Sequence, residues 1–271
     1  MRNIRLPNTE LEVSKLGFGT ASLHHLISKR DREKLLTSAL DNGFSHFDTA
    51  RLYGEGLAER TLGDFLQSNR HRVTIATKVG IPANPVLETL PSLMYAQKSI
   101  SSLTRRLSLS PKGIRKRSLD KKEVENSLQS SLNALRTDWV DIFFIHDPRI
   151  SEVSQLLKIA EWLQAQKTQG NVRYLGLAGK AKACVEITNQ IPGLFDILQV
   201  EDSTCDREAD IVISSGLPLQ ITFGYMRKSL ENKPNIDPND AIKSALFRNY
   251  SGMILVSSRN STRLKTLSSF S

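Results

Sequence analysis

The 271-residue sequence predicts an α/β protein whose eight parallel strands close into a (β/α)8 barrel, the TIM-barrel architecture. Two observations support this prediction. Short apolar runs alternate with helical patterns along the whole chain, and the alternation repeats eight times. Parallel neighbours need helical crossovers, and these helices cover the outer face of the sheet. Because no linker interrupts the pattern, residues 1–271 are predicted to form a single domain.

Each predicted strand is a short apolar run that ends at a turn or at the start of a helix. The strands cover residues 16–20, 45–48, 73–78, 140–146, 174–177, 197–200, 219–223 and 253–256. The helices cover residues 31–40, 59–66, 120–135, 156–163, 184–187, 209–213, a segment that starts at 237, and 260–267. Asp120 is a favourable N-cap, and Asp237 before Pro238 places a proline at the first helical position.

Two segments fall outside the repeat. Residues 3–13 are predicted to form a short N-terminal hairpin, turned at Pro7 and Asn8, that plugs the bottom of the barrel. Residues 79–119 form a long loop after strand three, with four prolines and little periodicity. A loop of this length inside a compact domain is normally functional or disordered. It is either a flap over the active site, whose arginines favour anionic substrates, or a surface insertion without a catalytic part.

The composition limits the classes of partner. With 37 basic and 28 acidic residues the formal net charge is +9, which suits nucleic acid, a membrane surface, an anionic cofactor or solubility alone. Much of the excess lies in residues 104–122, where no aromatics interleave, so we expect a solvated loop and no nucleic-acid partner. The absence of a long apolar run and of a signal peptide predicts a cytoplasmic protein with no membrane partner. Cys184 and Cys205 lack the spacing of a metal site, so no metal is expected.

Four polar residues stand close to the ends of predicted strands two, three and four: Asp48, Tyr53, Lys78 and His146. The carboxyl ends of barrel strands meet at one mouth, where barrels of this type carry out their chemistry. Each residue alone has a structural explanation, as a helix cap, a packed ring, a solvated amine or a turn residue. The four together, in this order on consecutive strands, favour a shared catalytic site.

A tyrosine with a lysine neighbour suits proton transfer to a carbonyl oxygen. The phenol has an ordinary pKa of about 10, and a nearby ammonium is expected to lower that value. Asp48 would hold Lys78 in place and keep it charged, and His146 would orient a substrate oxygen. No side chain supplies a hydride, so a nicotinamide cofactor is required, although the sequence lacks the Gly-x-Gly-x-x-Gly motif of a Rossmann domain.

Longer motifs surround these residues. They are LGFGT at 16–20, GFSHFDTA at 43–50, YG at 53–54, Glu59, LG at 62–63, TKVG at 77–80, IHDP at 145–148, LQ at 198–199 and SSRNSTRL at 257–264. With these motifs, which span nearly the whole chain, the sequence resembles the aldo-keto reductase family. The stretches around Tyr53 and His146 are similar to its sugar- or aldose-dehydrogenase branch.

This resemblance implies NAD(P)(H)-dependent interconversion of a small-molecule carbonyl (an aldehyde, a ketone or a sugar) and an alcohol. Tyr53 then matches the general acid/base, Lys78 and Asp48 its tuning partners, and His146 the residue that orients the substrate. The implied cofactor-binding residues are Gly19, Thr20, Asp48, Gln199, Phe223, Ser258, Arg259 and Arg263. Among them Gln199 matches the residue that binds the nicotinamide carboxamide. Arg263 suits a 2′-phosphate, so NADP(H) is expected to be preferred over NAD(H).

The sequence departs from the family pattern at three places. Ala178-Gly179-Lys180 stands where the family often has Ser-Asn against the carboxamide. Residues 221–225 leave Phe223 or Tyr225 as the aromatic that stacks on the nicotinamide. The chain ends soon after Arg263, so the family's C-terminal substrate loop is expected to be largely missing. These departures leave a second function open, a non-catalytic protein on the same scaffold that senses cofactor or binds a partner. A monomer or weak oligomer is expected.

Overall fold

The computed structural model describes residues 1–89, 117–232 and 237–270, and within them eight parallel strands close into a barrel. The predicted (β/α)8 barrel is confirmed. The strands are β1 (Asn3–Arg5), β2 (Glu12–Ser14), β3 (Leu16–Gly19), β4 (His46–Asp48), β5 (Thr74–Val79), β6 (Val140–His146), β7 (Val172–Gly179), β8 (Ile197–Glu201), β9 (Ile221–Phe223) and β10 (Met253–Val256). Strands β3 to β10 pair in sequence, and β10 closes the ring against β3.

Helices connect the barrel strands. They are α1 (Lys29–Asp41), α2 (Leu57–Asn69), α3 (Pro85–Thr89), α4 (Lys121–Leu135), α5 (Val153–Thr168), α6 (Ala181–Gln190), α7 (Asp210–Ser214), α8 (Tyr225–Asn232), α9 (Pro238–Arg248) and α10 (Ser261–Ser268). The predicted starts are confirmed, since Asp120 accepts a hydrogen bond from Lys122 N and Asp237 accepts one from Asn239 N. These side chains satisfy amides that have no partner inside their helices.

Helices α3 and α8 were not predicted from the sequence. In α3 the Asn84 side chain accepts hydrogen bonds from the amides of Val86 and Leu87, and Pro85 opens the helix where it was expected to break structure. Helix α8 follows Gly224, whose φ of +100° turns the chain away from β9. The flap hypothesis covers residues 79–119, of which 90–116 lie outside the described residues.

The N-terminal hairpin closes the bottom of the barrel, as predicted. Strands β1 and β2 pair antiparallel, and Leu6 and Leu11 between them are fully buried against residues that point into the barrel, such as Phe144. Gln220 Nε2 donates a hydrogen bond to the main-chain oxygen of Pro7, which ties the hairpin to the strand layer at 2.9 Å. A second apolar core fills the space between the strands and the helices.

Alternation along each strand decides which side chains face the barrel interior. In β6, Ile142 and Phe144 belong to the inner core and Phe143 and Ile145 to the outer one. By the same alternation, His146 at the end of β6 faces inward, and the inward residues at the ends of β4 and β5 are Asp48 and Lys78. No helix in the described ranges is both long and apolar enough to cross a bilayer.

Candidate active site

The carboxyl ends of the barrel strands surround a cavity of about 460 Å³. The structure brings all four predicted catalytic residues to it: Asp48, Tyr53, Lys78 and His146. Its remaining walls are mainly apolar, and they come from β7 and the segment around Phe223, from β10 and from the start of α8. The cavity therefore combines these polar groups with apolar walls that suit a flat or apolar ligand.

Lys78 and Asp48 form a buried ion pair at the base of the cavity. The ammonium lies 2.6 Å from both carboxylate oxygens of Asp48 and 2.8 Å from the main-chain oxygen of Thr49. Burial alone would lower the pKa of Lys78, but the Asp48 carboxylate and the Tyr53 phenol outweigh it and raise that pKa above its ordinary value. Lys78 is thus a fixed cation, as the sequence led us to expect.

The Tyr53 ring lies over this ion pair, with its centroid 4.9 Å from Lys78 Nζ. Burial raises the pKa of the Tyr53 phenol above its ordinary value, Lys78 opposes the rise, and the carboxylate of Asp48 adds to it. The expectation that a neighbouring ammonium lowers this pKa is therefore wrong in its net direction. Desolvation of the phenolate and the second charge of the ion pair outweigh the attraction of the ammonium.

Ion pairs fix the loop that carries Tyr53. Arg51 donates to Glu59 at 3.0 Å and also to Glu88 of α3, while the other oxygen of Glu59 accepts from the Thr77 hydroxyl at 2.6 Å. Thr77 precedes Lys78 on β5, so the network joins the Tyr53 loop to the strand that carries the lysine. Sequence analysis missed the partners of Arg51, because nothing in the spacing shows that α3 returns to this loop.

His146 stands edge-on to Tyr53, with ring centroids 5.9 Å apart and planes at 88°. Burial, together with the cations Lys78 and Arg117, lowers the pKa of His146 to about 3, so the ring is neutral at ordinary pH. Arg117 donates to the main-chain oxygen of His146 and pairs with Glu152 at 2.5 Å. Arg117 was expected in a solvated loop. That expectation is wrong for this residue, because its side chain is buried against the end of β6.

The residues expected to bind the nicotinamide half of a cofactor lie in or beside the cavity. Gly19, Asp48, Gln199 and Phe223 line it, and the buried Oε1 atom of Gln199 has no hydrogen-bond partner in the described part of the chain. Thr20 is buried, and its hydroxyl donates to the main-chain oxygen of Asp48 at 3.0 Å. Of the two aromatic candidates, Tyr225 is held by a 2.5 Å hydrogen bond to Asp202, whereas Phe223 is only half-buried.

The residues expected to bind the adenosine end follow β10. Ser258 is buried, and its hydroxyl accepts from the Asn260 amide at 3.1 Å. Arg259 and Arg263 are exposed, and neither forms an ion pair with a described carboxylate. Asn260 caps α10 through the Thr262 amide at 2.8 Å, so the loop between β10 and α10 has a defined conformation.

Two charged residues of the cavity wall were not predicted as site residues. Asp147, directly after His146, lines the cavity with a left-handed backbone (φ +47°). Arg227, on the unpredicted helix α8, also lines it and pairs with Glu201. The adjacency of Asp147 to His146 was the available signal for the first. Arg227 could not have been predicted, because its helix α8 was not predicted.

A model of the aldo/keto reductase family matches residues 15–213. The chain is also similar to an uncharacterized oxidoreductase of Bacillus subtilis, with 26% identity over 66% of this chain and 49% of the relative. It is 29% identical to the D-threo-aldose 1-dehydrogenase of a Pseudomonas species, over 62% of this chain and 50% of the relative. The chain therefore spans about half the length of these curated relatives.

Solved structures show the same fold. A glycerol dehydrogenase from Gluconobacter oxydans superposes with a TM-score of 0.73 and 16% identity, over 99% of this chain and 89% of that chain. An aldo-keto reductase from Klebsiella pneumoniae, solved in complex with NADPH, has a TM-score of 0.69 and 15% identity over the same shares of the two chains.

Proposed function

Because the chain belongs to the aldo/keto reductase family, we propose that it is an NAD(P)(H)-dependent oxidoreductase that interconverts a small-molecule carbonyl and an alcohol. The observation that carries the proposal is the buried Lys78–Asp48 ion pair beneath the Tyr53 ring, in a cavity that His146 also lines. The similarity to an aldose dehydrogenase supports sugar-like substrates among the carbonyls.

Tyr53 is the proposed general acid/base. Its raised pKa keeps the phenol protonated near neutral pH, which is the form that donates a proton to a carbonyl oxygen during reduction. The phenolate left behind lies beside the Lys78 ammonium, which Asp48 holds in place. Solvent then returns the proton to the phenolate. In the oxidation direction the phenolate would accept the proton of the alcohol.

His146 is the proposed orienting residue. Since burial holds its pKa near 3, the ring stays neutral and can form a hydrogen bond to the substrate oxygen without adding a positive charge. Its edge-on contact with Tyr53 places the two rings on the same side of the cavity. A substrate oxygen held between them would be close to the proton it exchanges.

The cavity residues fit a nicotinamide cofactor. The unpartnered, buried Gln199 Oε1 suits the amide hydrogens of the carboxamide, and Phe223 offers an aromatic face in the same cavity. When bound, the nicotinamide supplies or accepts the hydride that no side chain can provide. Arg263 and Arg259, exposed after β10, support a preference for NADP(H), because arginine forks pair well with phosphate.

A second candidate function is a cofactor sensor without turnover. The observation that favours it is the apolar pair Ala178-Gly179 at the end of β7, which provides no side-chain hydrogen bond to a carboxamide. The free cysteines Cys184 and Cys205 suit a reducing compartment such as the cytoplasm under either function.

Two measurements on the wild-type protein separate these functions. Fluorescence titration with NADPH and NADH measures cofactor binding, and loss of NADPH absorbance with a panel of aldehydes, ketones and sugars measures turnover. We expect tighter binding of NADPH than of NADH, and NADPH consumption with at least one carbonyl. Tight NADPH binding without turnover of any carbonyl or alcohol would favour the sensor, and equal affinity for the two cofactors would contradict the NADP(H) preference.

A further inference from the structure

Arg117 is a buried arginine that the proposed reaction leaves without a role. It lies just before α4, and its side chain is only 8% exposed. Its guanidinium is placed between the end of β6, which carries His146, and the turn that follows Lys78 and β5. Arg117 therefore contacts the two strands that bring these catalytic residues together, although it does not line the cavity itself.

Three segments of the chain hold the guanidinium of Arg117 in place. Its Nη1 atom donates to the main-chain oxygen of His146, and its Nε atom donates to Glu152, just before α5, at 2.5 Å. The third segment is the turn after β5, where a Cβ atom at Gly80 would lie 3.0 Å from both Nη1 and Nη2. Glycine at position 80, with a φ of +109°, thus leaves the space that the guanidinium occupies.

The charge of Arg117 also acts on the His146 ring. Burial makes the largest contribution to the lowered pKa of His146, and the cations Lys78 and Arg117 lower it further. Both cations therefore favour the neutral ring that the proposed hydrogen bond to the substrate uses. The titratable and charged groups around the ring are, besides Arg117, those of Asp48, Tyr53, Lys78 and Asp147.

We propose that Arg117 is a positioning residue, which holds the end of β6 against the turn after β5 and thereby keeps His146 in the orientation that binds the substrate oxygen. This inference rests on the proposed oxidoreductase function and adds a residue to its machinery. Arg117 acts through His146 and has no contact with the substrate or the cofactor of its own. Its removal should therefore affect turnover, while cofactor binding is kept.

Arg70 provides a matched control at the opposite end of the same two strands. Its side chain is 17% exposed and pairs with Asp141 at 3.1 Å. It donates to the main-chain oxygens of Val73, just before β5, and of Trp139, just before β6, at 2.9 and 3.2 Å. Arg117→Met and Arg70→Met thus each remove one guanidinium that joins β5 to β6, at the carboxyl ends and at the amino ends respectively.

The experiment measures three quantities on each folded variant. They are kcat/KM for the best carbonyl with NADPH, the Kd for NADPH, and the titration of the His146 ring by NMR. Arg117→Lys keeps a positive charge and a hydrogen-bond donor for the His146 oxygen. The double variant Arg117→Met/Glu152→Gln also removes the buried carboxylate that Arg117→Met leaves unpaired, so it keeps the test available where the single variant folds poorly.

We expect Arg117→Met and the double variant to lower kcat/KM by roughly ten- to a hundredfold at an unchanged Kd for NADPH, since small displacements of a reacting group have effects of this size. In both, the His146 ring should take up a proton at a higher pH than in the wild type, because one of its neighbouring cations is gone. Arg117→Lys should recover part of the lost activity. Arg70→Met should keep the wild-type kcat/KM and His146 titration.

The outcomes separate this inference from the proposed function. The same kcat/KM and the same His146 titration in Arg117→Met as in Arg70→Met would overturn the inference and leave the proposed function standing. A loss of activity that Arg117→Lys does not reduce at all would do the same. No turnover of any carbonyl by the wild type would overturn both.

Discussion

Strands β4, β5 and β6 carry buried polar groups at both ends, and those at the carboxyl ends line the active-site cavity. At the amino ends, Asp141 accepts from the Ile75 amide at 2.8 Å, from Arg70 at 3.1 Å and from Arg173 at 3.0 Å. Arg70 in turn stacks on the Trp139 ring at 3.6 Å. The buried Asp141 carboxylate is thus paired with protein groups through both of its oxygens.

At the carboxyl ends of these strands, some hydrogen-bonding groups have no partner in the described part of the chain. Lys78 and Asp48 neutralise each other, whereas Asp141 is paired with two arginines. Beyond the Lys78–Asp48 pair, however, the buried Oε1 atom of Gln199 has no hydrogen-bond partner in the described part of the chain. A buried ion pair alone therefore does not indicate function. Unused hydrogen-bonding capacity in a cavity does, and barrels of this kind keep function at one end and stability at the other.

The largest loss of activity should come from breaking the Lys78–Asp48 ion pair at the carboxyl ends of the strands. Lys78→Met removes the cation that stabilises the Tyr53 phenolate, so we expect kcat to fall by about 10²–10⁴-fold in steady-state assays. The double variant Asp48→Asn/Lys78→Met also removes the uncompensated charge and should be equally inactive but better folded. Lys167→Met breaks the half-exposed pair with Asp196 away from the cavity and serves as the control. A kcat close to wild type in Lys78→Met would contradict the conclusion that the polar groups at the carboxyl ends carry the function.

At the amino ends of the strands, around Asp141, we expect the effect to be on stability instead of on turnover. Asp141→Ala removes the partner of two arginines, and we expect the free energy of unfolding to fall by about 3 kcal/mol in urea denaturation. This is the low end for a broken buried pair, because the side chain of Arg173 remains 44% exposed and can be hydrated. The kcat of the folded protein should be retained. A large loss of kcat at unchanged stability would mean that this end also takes part in catalysis.

A smaller effect concerns pH. His46 lies inside the barrel at the amino end of β4. Its Nδ1 shares a hydrogen bond with the Thr74 hydroxyl at 2.8 Å, and its Nε2 has no partner within the described residues. Burial lowers the pKa of His46 from 6.5 to about 3. Below pH 6.5, His46 of the unfolded chain therefore binds a proton that His46 of the folded chain does not bind. Stability consequently falls as the pH falls between these two values.

Lowering the pH from 7 to 5 should cost about 2 kcal/mol of unfolding free energy through His46 alone. Urea denaturation at the two pH values measures this loss. His46→Gln should make the pH dependence shallower by that amount. An unchanged dependence in the variant would show that His46 takes up its proton in the folded state as readily as in the unfolded chain.

The sequence predicted the parts of the site that lie on strands. Strand ends are set by apolar runs, and parallel strands in a closed barrel bring their carboxyl ends together, so Asp48, Lys78 and His146 could be placed at one mouth. Contacts between segments distant in sequence were not predictable. Arg117 looked like part of a solvated basic run, yet it folds back onto the end of β6.

The net shift in the pKa of Tyr53 could not be predicted from the sequence either. A lysine beside a tyrosine predicts a lowered phenol pKa, but the net direction depends on how much solvent the surrounding walls exclude. Only the three-dimensional burial of Tyr53 reverses the sign.

The most direct test of the account is a paired measurement on Tyr53→Phe, which removes one hydroxyl and keeps the ring over Lys78. Turnover with the best carbonyl substrate and the dissociation constant for NADPH are measured on the same preparation. We predict that kcat falls by about 10²–10⁴-fold, the usual contribution of a general acid/base, while NADPH affinity is kept. Turnover near the wild-type rate would contradict the assignment of Tyr53 as the proton donor.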